Sequence, residues 1–406
     1  VTITLDESQQ AALALALDEP IAIVTGGPGT GKTTILREAL ARLGGQRVAL
    51  AAPTGKAAKR IQETTGREAK TLHRLLGYNP VERGFYHGLS NPLPFDVVIV
   101  DEASMIDVEL FADLLDAIEP TTTRLVLVGD ANQLPSVGPG AILADLVRSD
   151  LVPTARLSNV HRSAAESWIC NNAPRILEGL EVDTSTRDDF EFVACDEAVN
   201  VAKFCGDALE ADTTAQILIP QKTGAAGTEA VNVAMQARFN PLRPDELEWG
   251  KTPNVLRPRD RVIHTKNNYE LGVFNGECGV VVSIEPTKML VEYADRNAAV
   301  EYTRGDSFDL RLAYALTIHK SQGSEWSTVI AVVHNTHTFM LTRQLLYTAI
   351  TRAKKRVVIV GNDRGLANAL GSKRDSTRNT ALCDRIRGTL VVENLDARKE
   401  HATDAT

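Results

Sequence analysis

Short, unbroken apolar runs alternate with amphipathic stretches through the first 150 residues. The runs are Pro20–Gly26, Arg47–Pro53, Phe95–Glu102 and Thr123–Asp130, and the stretches between them include Lys32–Leu43 and a basic helix from Lys56. A strand exposed on one face alternates apolar with polar residues, whereas a strand covered on both faces is apolar throughout. These runs therefore predict a parallel sheet with helices on both sides. The interval 77–94 breaks the pattern with Gly, Pro and Asn beside Tyr78, Phe85 and Tyr86, which predicts a small inserted hairpin.

A second α/β unit is predicted from about Ala155, with buried strands at Gln216–Pro220, Ser327–His334 and Arg356–Gly361. Between Arg257 and Arg304 the period changes to short alternating strands separated by Asn, Gly, Pro and Asp. That rhythm predicts a small antiparallel barrel set into the second unit. The expected division is a first domain 1–154 with the hairpin at 77–94, and a second domain 155–376 with the barrel at 257–304. A C-terminal segment 377–406 completes it, with a helix over Thr377–Arg387 and a disordered end.

Charge modifies this picture locally. The formal net charge of −8 argues against a polyanionic ligand. However, Glu178–Asp212 holds 11 acidic and 2 basic residues, whereas Gly55–Arg74 holds 6 basic and 2 acidic. A phosphate backbone responds to the local patch, and the second segment is the candidate, although a solvated helix face has the same composition. No apolar run approaches the roughly 18 residues of a membrane span, and no secretory leader opens the chain. The valine at position 1 leads to the expectation of a trimmed or engineered start. The five cysteines are scattered without metal-ligand spacing, so buried thiols in a cytoplasmic protein are expected.

Gly26, Gly31, Lys32 and Thr33 satisfy G-x-x-x-x-G-K-[ST] between a predicted strand and a predicted helix. Backbone amides over Gly27, Pro28, Gly29, Thr30, Gly31, Lys32, Thr33 and Thr34 would cradle the phosphates of ATP. Lys32 would reach the β- and γ-phosphates, and the Thr33 hydroxyl would ligate Mg²⁺. Asp101 and Glu102 close the strand that ends at Val100, where a Mg²⁺ carboxylate and a residue orienting or deprotonating the attacking water belong. Gln133 ends the next strand and is a candidate γ-phosphate sensor, although alone it reads equally as part of a polar turn.

Taken in order, these segments resemble superfamily-one DNA helicases, specifically the RecD-like helicases of class B, from about Leu5 to Arg385. The resemblance implies two RecA-like motor domains, a hairpin pin in the first, an SH3-like barrel in the second, and 5′→3′ movement on single-stranded DNA. It implies that Gln9 reads adenine. Pro53, Thr54 and Lys56 (in Ala52–Arg60), and Thr71 and His73 (in Thr71–Gly77), would touch DNA on the first motor domain. On the second, Lys222, Thr265, Lys266 and Asn267 (in His264–Tyr269), Asn275 (in Phe274–Glu277), Thr317 and His319 would do the same. Glu325 would face the nucleotide, and Arg162 and Arg352 would be arginine fingers. Two departures stand out: the N-terminal region of the family's long members is missing ahead of Gln9, and Ser163 follows Arg162 where relatives often carry glutamine.

The implied partners are single-stranded DNA and single-strand/duplex junctions, with the protein monomeric and away from membranes. The motor motifs scarcely distinguish DNA from RNA, so an RNA helicase remains an alternative. A different P-loop enzyme such as a nucleotide kinase, and a DNA-binding scaffold without turnover, are further alternatives. Arg352 by itself would serve equally as a helix cap or an ion-paired arginine.

Overall fold

The computed structural model describes residues 5–157, 167–251, 254–268, 270–293, 296, 298–372, 380 and 382–388. The chain divides into two compact units. One comprises residues 1–53, 57–161 and 375–406, and the other residues 54–56 and 162–374. Arg162 and Tyr269 lie outside the described residues.

In the first unit, helix α1 (Glu7–Asp18) precedes strand β1 (Ile21–Gly26) and helix α2 (Lys32–Arg42). There follow β2 (Val48–Ala52), α3 (Gly55–Thr65), β3 (Ala69–Thr71) and the short α4 (Leu72–Leu75). The hairpin strands β4 (Tyr78–Asn79) and β5 (Gly84–Phe85) come next, then β6 (Val97–Val100), α5 (Val108–Asp116), β7 (Arg124–Gly129), α6 (Ile142–Ser149) and β8 (Thr154–Leu157). Six strands form one sheet in the order β3-β2-β6-β7-β1-β8, parallel at every junction. One face packs Val24, Leu50, Ile99 and Val126 against α1, α2 and α3. The other packs Ile23, Val98, Val100 and Leu127 against α5 and α6. Alternate residues of each strand thus enter different cores, which is why the strands are apolar at every position. The inserted hairpin is short, with Tyr78 paired to Phe85 and Asn79 to Gly84.

Two expected boundaries are corrected here. Thr154–Leu157 does not open the second unit, because Ile23 to Gly26 pair with these residues in parallel. The C-terminal helical turn occupies residues 382–388, and Leu382 and Ile386 pack on the α5/α6 side of the first unit. The Thr380 hydroxyl donates to the buried Asp145 carboxylate there, and the Arg387 guanidinium donates to the carbonyls of Arg148 and Ser149.

The second unit begins with α7 (Trp168–Glu178), β9 (Phe190–Ala194), α8 (Val201–Ala211), β10 (Gln216–Ile219) and α9 (Thr228–Phe239). Short strands β11 (Trp249–Lys251), β12 (Asn254–Leu256), β13 (Arg261–His264), β14 (Cys278–Ile284), β15 (Met289–Tyr293), β16 (Val300–Tyr302) and β17 (Leu310–Leu312) follow. The unit closes with β18 (Ala315–Thr317), β19 (Trp326–Val333), α10 (Arg343–Ile350), β20 (Ala353–Gly361) and α11 (Asp363–Gly371). Its main sheet is parallel, ordered β18-β10-β19-β20-β9. The insert is a five-stranded antiparallel sheet ordered β16-β15-β14-β13-β17. Its last strand, Leu310–Leu312, lies beyond the expected limit at Arg304, because Val262 to His264 need a second antiparallel neighbour.

A buried carboxylate ties the insert to the unit that carries it. Asp260 accepts hydrogen bonds from Gln236 of α9, from Asn240 at the C-terminal cap of that helix, from the Tyr314 hydroxyl and from the Arg257 amide. Burial pushes its carboxyl above the ordinary range, against the pull of these donors.

Candidate functional site: a phosphate loop and a basic cleft

The phosphate loop joins β1 to α2. Gly29 and Gly31 have φ of +71° and +91°, so side chains at these positions would be strained. At Gly26 a Cβ would lie 2.7 Å from the Thr30 hydroxyl oxygen and 2.9 Å from the Leu157 Cβ. Strand β8 thus presses the start of the loop against its own return. The Thr30 hydroxyl donates to the Gly27 carbonyl at 2.8 Å. The Lys32 ammonium donates to the carbonyls of Gly26 and Gly27 at 2.6 and 2.9 Å, so the cation is folded over the cradle. Thr33 and Thr34 are half-buried in the first turn of α2, where unpaired amides and the helix dipole favour an anion.

Gln9 supports this loop from α1. It completes a capping box with Asp6, and its buried amide donates to the Thr30 carbonyl at 3.3 Å. Both ends of the side chain therefore have protein partners, and one of them is the phosphate loop itself.

Asp101 and Glu102 follow β6. The Asp101 carboxylate accepts from the Glu102 amide at 2.8 Å. Burial, and then the neighbouring Glu102 charge, push the Asp101 carboxyl well above the ordinary range, while Lys32 and Arg60 pull it back. The Lys32 charge is thus near enough to oppose that rise. Glu102 occupies the left-handed region with φ +53°, sparse for a side chain of this kind, and strain of this sort collects at working sites. An Arg60 Nη1 stands 3.8 Å from its carboxylate. Between β1 and β6 lies β7, and Gln133 sits in the turn after it; the buried amide of Gln133 donates to Asp130 at 3.3 Å. The Ala131 amide donates to the Thr25 hydroxyl at 3.2 Å, fastening the end of β7 to the phosphate-loop strand.

Pro53, Thr54 and Lys56 sit half-buried where β2 turns into α3. Thr71 caps α4 by accepting from the Arg74 amide, which occupies its hydroxyl oxygen with a structural bond. His73 lies against the hairpin, 5.6 Å from the Tyr78 ring and 5.8 Å from the Phe85 ring between centroids. The hairpin aromatics therefore do local packing, whereas Tyr86 and Leu89 are largely exposed.

In the second unit a cleft of about 800 Å³ opens between the end of the main sheet and the inserted sheet. It brings together Lys222, Thr265 and Thr317, three of the sequence candidates, and adds Lys320 and Arg311. Burial, and then the charges of Lys222 and Arg311, push the Lys320 ammonium below its ordinary range, so three cations converge on one space. Trp249, Arg304 and the exposed Phe308 continue the lining, with Arg304 stacked over the Trp249 ring at 4.5 Å. Sequence reading missed Lys320 although it adjoins His319, and missed Arg311 because it lies outside the interval assigned to the barrel. Lys266, Asn267 and Asn275 are exposed on neighbouring loops rather than in this cleft. Lys266 pairs with Asp309 at 3.2 Å, and the Asn267 side chain accepts from the Asn275 amide. His319 is half-buried in the turn after β18 and does not line the cleft.

Arg352 follows α10 and is 2 % exposed. One Nη donates to the Ser324 carbonyl at 3.3 Å, and its buried Nε has no hydrogen-bond partner. Adjacent Glu325 pairs with Lys354 at 3.6 Å. Among the described residues no group of His, Cys, Asp and Glu forms a metal cluster, and no helix is long and apolar enough to cross a membrane.

Comparison with known proteins gives three family matches: an AAA domain over residues 9–139, an ATP-dependent RecD-like DNA helicase SH3 domain over 231–293, and a UvrD-like helicase C-terminal domain over 312–360. The chain is 40% identical over 386 residues to the ATP-dependent RecD2 DNA helicase of Deinococcus radiodurans, covering 94% of this chain and 52% of that one. It is 38% identical over 427 residues to the RecBCD enzyme subunit RecD of Mycolicibacterium smegmatis, covering 94% of this chain and 75% of that one. The chain thus spans about half the length of the first relative. In fold it resembles a Pif1 helicase described unwinding forked duplex DNA, with TM-score 0.60 and 23% identity over 97% of this chain and 98% of that one. It also resembles a Bacteroides Pif1 helicase in complex with ADP-AlF3 and single-stranded DNA, with TM-score 0.55 and 21% identity over 95% and 97% of the two chains.

Proposed function

We propose a function from one premise: the chain belongs to the RecD family of ATP-dependent DNA helicases. The reading is an ATP-driven motor that moves 5′→3′ on single-stranded DNA and separates the duplex ahead of it. The observation that carries it is a phosphate cradle in the first unit together with a cleft in the second that is lined by Lys222, Lys251, Arg304, Arg311 and Lys320.

Phosphoryl transfer depends on positioning and charge neutralisation more than on covalent chemistry. Lys32 would exchange the Gly26 and Gly27 carbonyls for the β- and γ-phosphates. The residues present fit a magnesium ion: a dication would stabilise the carboxylate of Asp101, whose charge burial and Glu102 now oppose. Thr33 and Asp101 would hold that ion, which would screen charge on the phosphates. Glu102 would orient the attacking water, Gln133 would report the γ-phosphate, and Arg352 would neutralise charge on the transferred group. The 1–154 and 155–376 division is retained as two motor domains, amended to give strand Thr154–Leu157 to the first. Gln9 would set the loop and Glu325 would lie on the nucleotide side.

For DNA, the observed lining favours Lys222, Thr265, Thr317 and Lys320 as backbone contacts. Pro53, Thr54, Lys56, Thr71, His73, Lys266, Asn267, Asn275 and His319 extend the proposed track. Neutralising one phosphate of a single strand contributes about 0.7 to the slope of log affinity against log salt. Lys320→Ala is therefore expected to weaken oligo-dT binding and flatten that slope by about 0.7. An unchanged slope in a fluorescence-anisotropy titration would remove the cleft from the DNA path.

The deciding experiment compares unwinding of 5′-tailed and 3′-tailed duplexes with ATP. Unwinding from the 5′ tail is expected. Unwinding from a 3′ tail alone rejects the polarity, and stronger ATPase stimulation by RNA than by matched DNA rejects the substrate.

A further inference from the structure

Helix α3 carries proposed DNA contacts at one end and an arginine near the catalytic carboxylate candidate along its length. Its N-terminal end follows Pro53 and Thr54 and carries Lys56, the proposed DNA contacts. Its inner face, Ala57, Ala58 and Ile61, is buried in the core shared with α1 and α2. Near its C-terminal end the Thr64 carbonyl accepts from Arg37 of α2 at 2.6 Å, so the helix is tied to the one that begins at Lys32. Between these points Arg60 reaches the Glu102 carboxylate at 3.8 Å. The Arg60 side chain is 36% exposed and that of Glu102 is 14% exposed, so the arginine approaches from the solvent side of a mostly buried carboxylate. Glu102 is held on a left-handed backbone, which leaves the side chain few alternative directions.

A carboxylate that orients water must offer its oxygens to that water. One paired with a guanidinium offers them less well. We infer that Arg60 is a positioning residue that restrains Glu102 until single-stranded DNA engages the N-terminal end of α3. The restraint rests on the ATP-driven reading given above. A DNA phosphate seated at the start of α3 shifts the helix or recruits Arg60 itself, and either event frees Glu102. ATP turnover is then low without DNA and high with it. The pair is of the half-exposed kind, worth about 0.2–1 kcal/mol, which corresponds to about 1.4- to 5-fold in the population of free Glu102.

The test measures steady-state ATPase with and without oligo-dT for wild type, Arg60→Ala and Arg60→Gln. Stimulation of the wild type by oligo-dT tests the motor reading independently, since its absence counts against that reading and not against the pairing. Arg60→Ala is expected to raise the DNA-free kcat about two- to fivefold, with KM for ATP unchanged and a smaller stimulation ratio. Arg60→Gln removes the charge but keeps most of the side chain, and is expected to raise the DNA-free rate likewise, which covers the case in which the alanine variant does not fold. The inference is overturned if both variants retain the wild-type DNA-free rate and ratio. It is equally overturned if kcat falls by the same factor with and without DNA, or if only the oligo-dT concentration for half-stimulation changes.

Discussion

Lys32→Ala is expected to lower ATP turnover by at least about 10²–10³-fold while leaving the first unit folded. The ammonium group contributes two hydrogen bonds to the carbonyls of Gly26 and Gly27 and fills no part of the apolar core. Its removal costs the fold about 1 kcal/mol per bond at most, because these carbonyls border a half-exposed loop. Its removal from the ATP-bound state is far more damaging. It deletes the only positive side chain within Gly26–Thr34, where two phosphates carry concentrated charge. Oligo-dT binding without nucleotide is expected to persist, since the cleft cations lie in the other unit. Wild-type unwinding of a 5′-tailed duplex by this variant would overturn the nucleotide assignment. Circular dichroism and anisotropy on the same sample separate a dead site from an unfolded protein.

Arg352→Ala is expected to reduce kcat by about 10³–10⁵-fold, the range that an arginine finger supplies. The guanidinium is 2 % exposed and makes one hydrogen bond, to Ser324, while its Nε remains unpartnered. A buried donor without an acceptor is costly, so an arginine of this kind fits a role in which a further acceptor arrives. Arg352→Lys is not expected to rescue, since an ammonium group lacks the planar fork that can hold Ser324 and a phosphate oxygen together. The competing account is structural, because Trp326 and Arg352 are also joined through their backbones. The two are separated by comparing kcat with ATP affinity and melting temperature. A finger variant binds ATP nearly normally and turns it over slowly. Loss of melting temperature with kcat retained by the folded fraction would reject the finger.

Much of the first site is legible in the chain because its logic is local. A strand, a run of glycines, a lysine and a helix start within Pro20–Leu43 are enough to fix where amides converge and which cation covers them. The parallel sheet was equally legible, since strands covered on both faces must be apolar throughout. The two-helix-layer packing of Val24 and Ile23 on opposite faces bears that out. The resemblance to RecD-like helicases rested on such local segments, and the comparisons agree with it.

Other features depended on pairings that no local pattern encodes. Thr154–Leu157 falls where the sequence puts the start of the second unit, and only its register with β1 assigns it to the first sheet. The last strand of the insert was missed because Leu310–Leu312 is too short to stand out alone and is defined by its neighbour Arg261–His264. The terminal helical turn shows its apolar side, Leu382 and Ile386, without showing which core it joins.

The sequence by itself determined the local conformations, the phosphate cradle and the identities of the catalytic candidates. Those follow from backbone geometry and from donors and acceptors a few residues apart. Tertiary structure alone decided that Arg60 faces Glu102, that Lys222, Arg311 and Lys320 share one cleft, and that Arg352 is buried with a donor unused. The reason is that Coulomb and hydrogen-bond energies depend on separation in space, which folding sets between residues far apart in the chain.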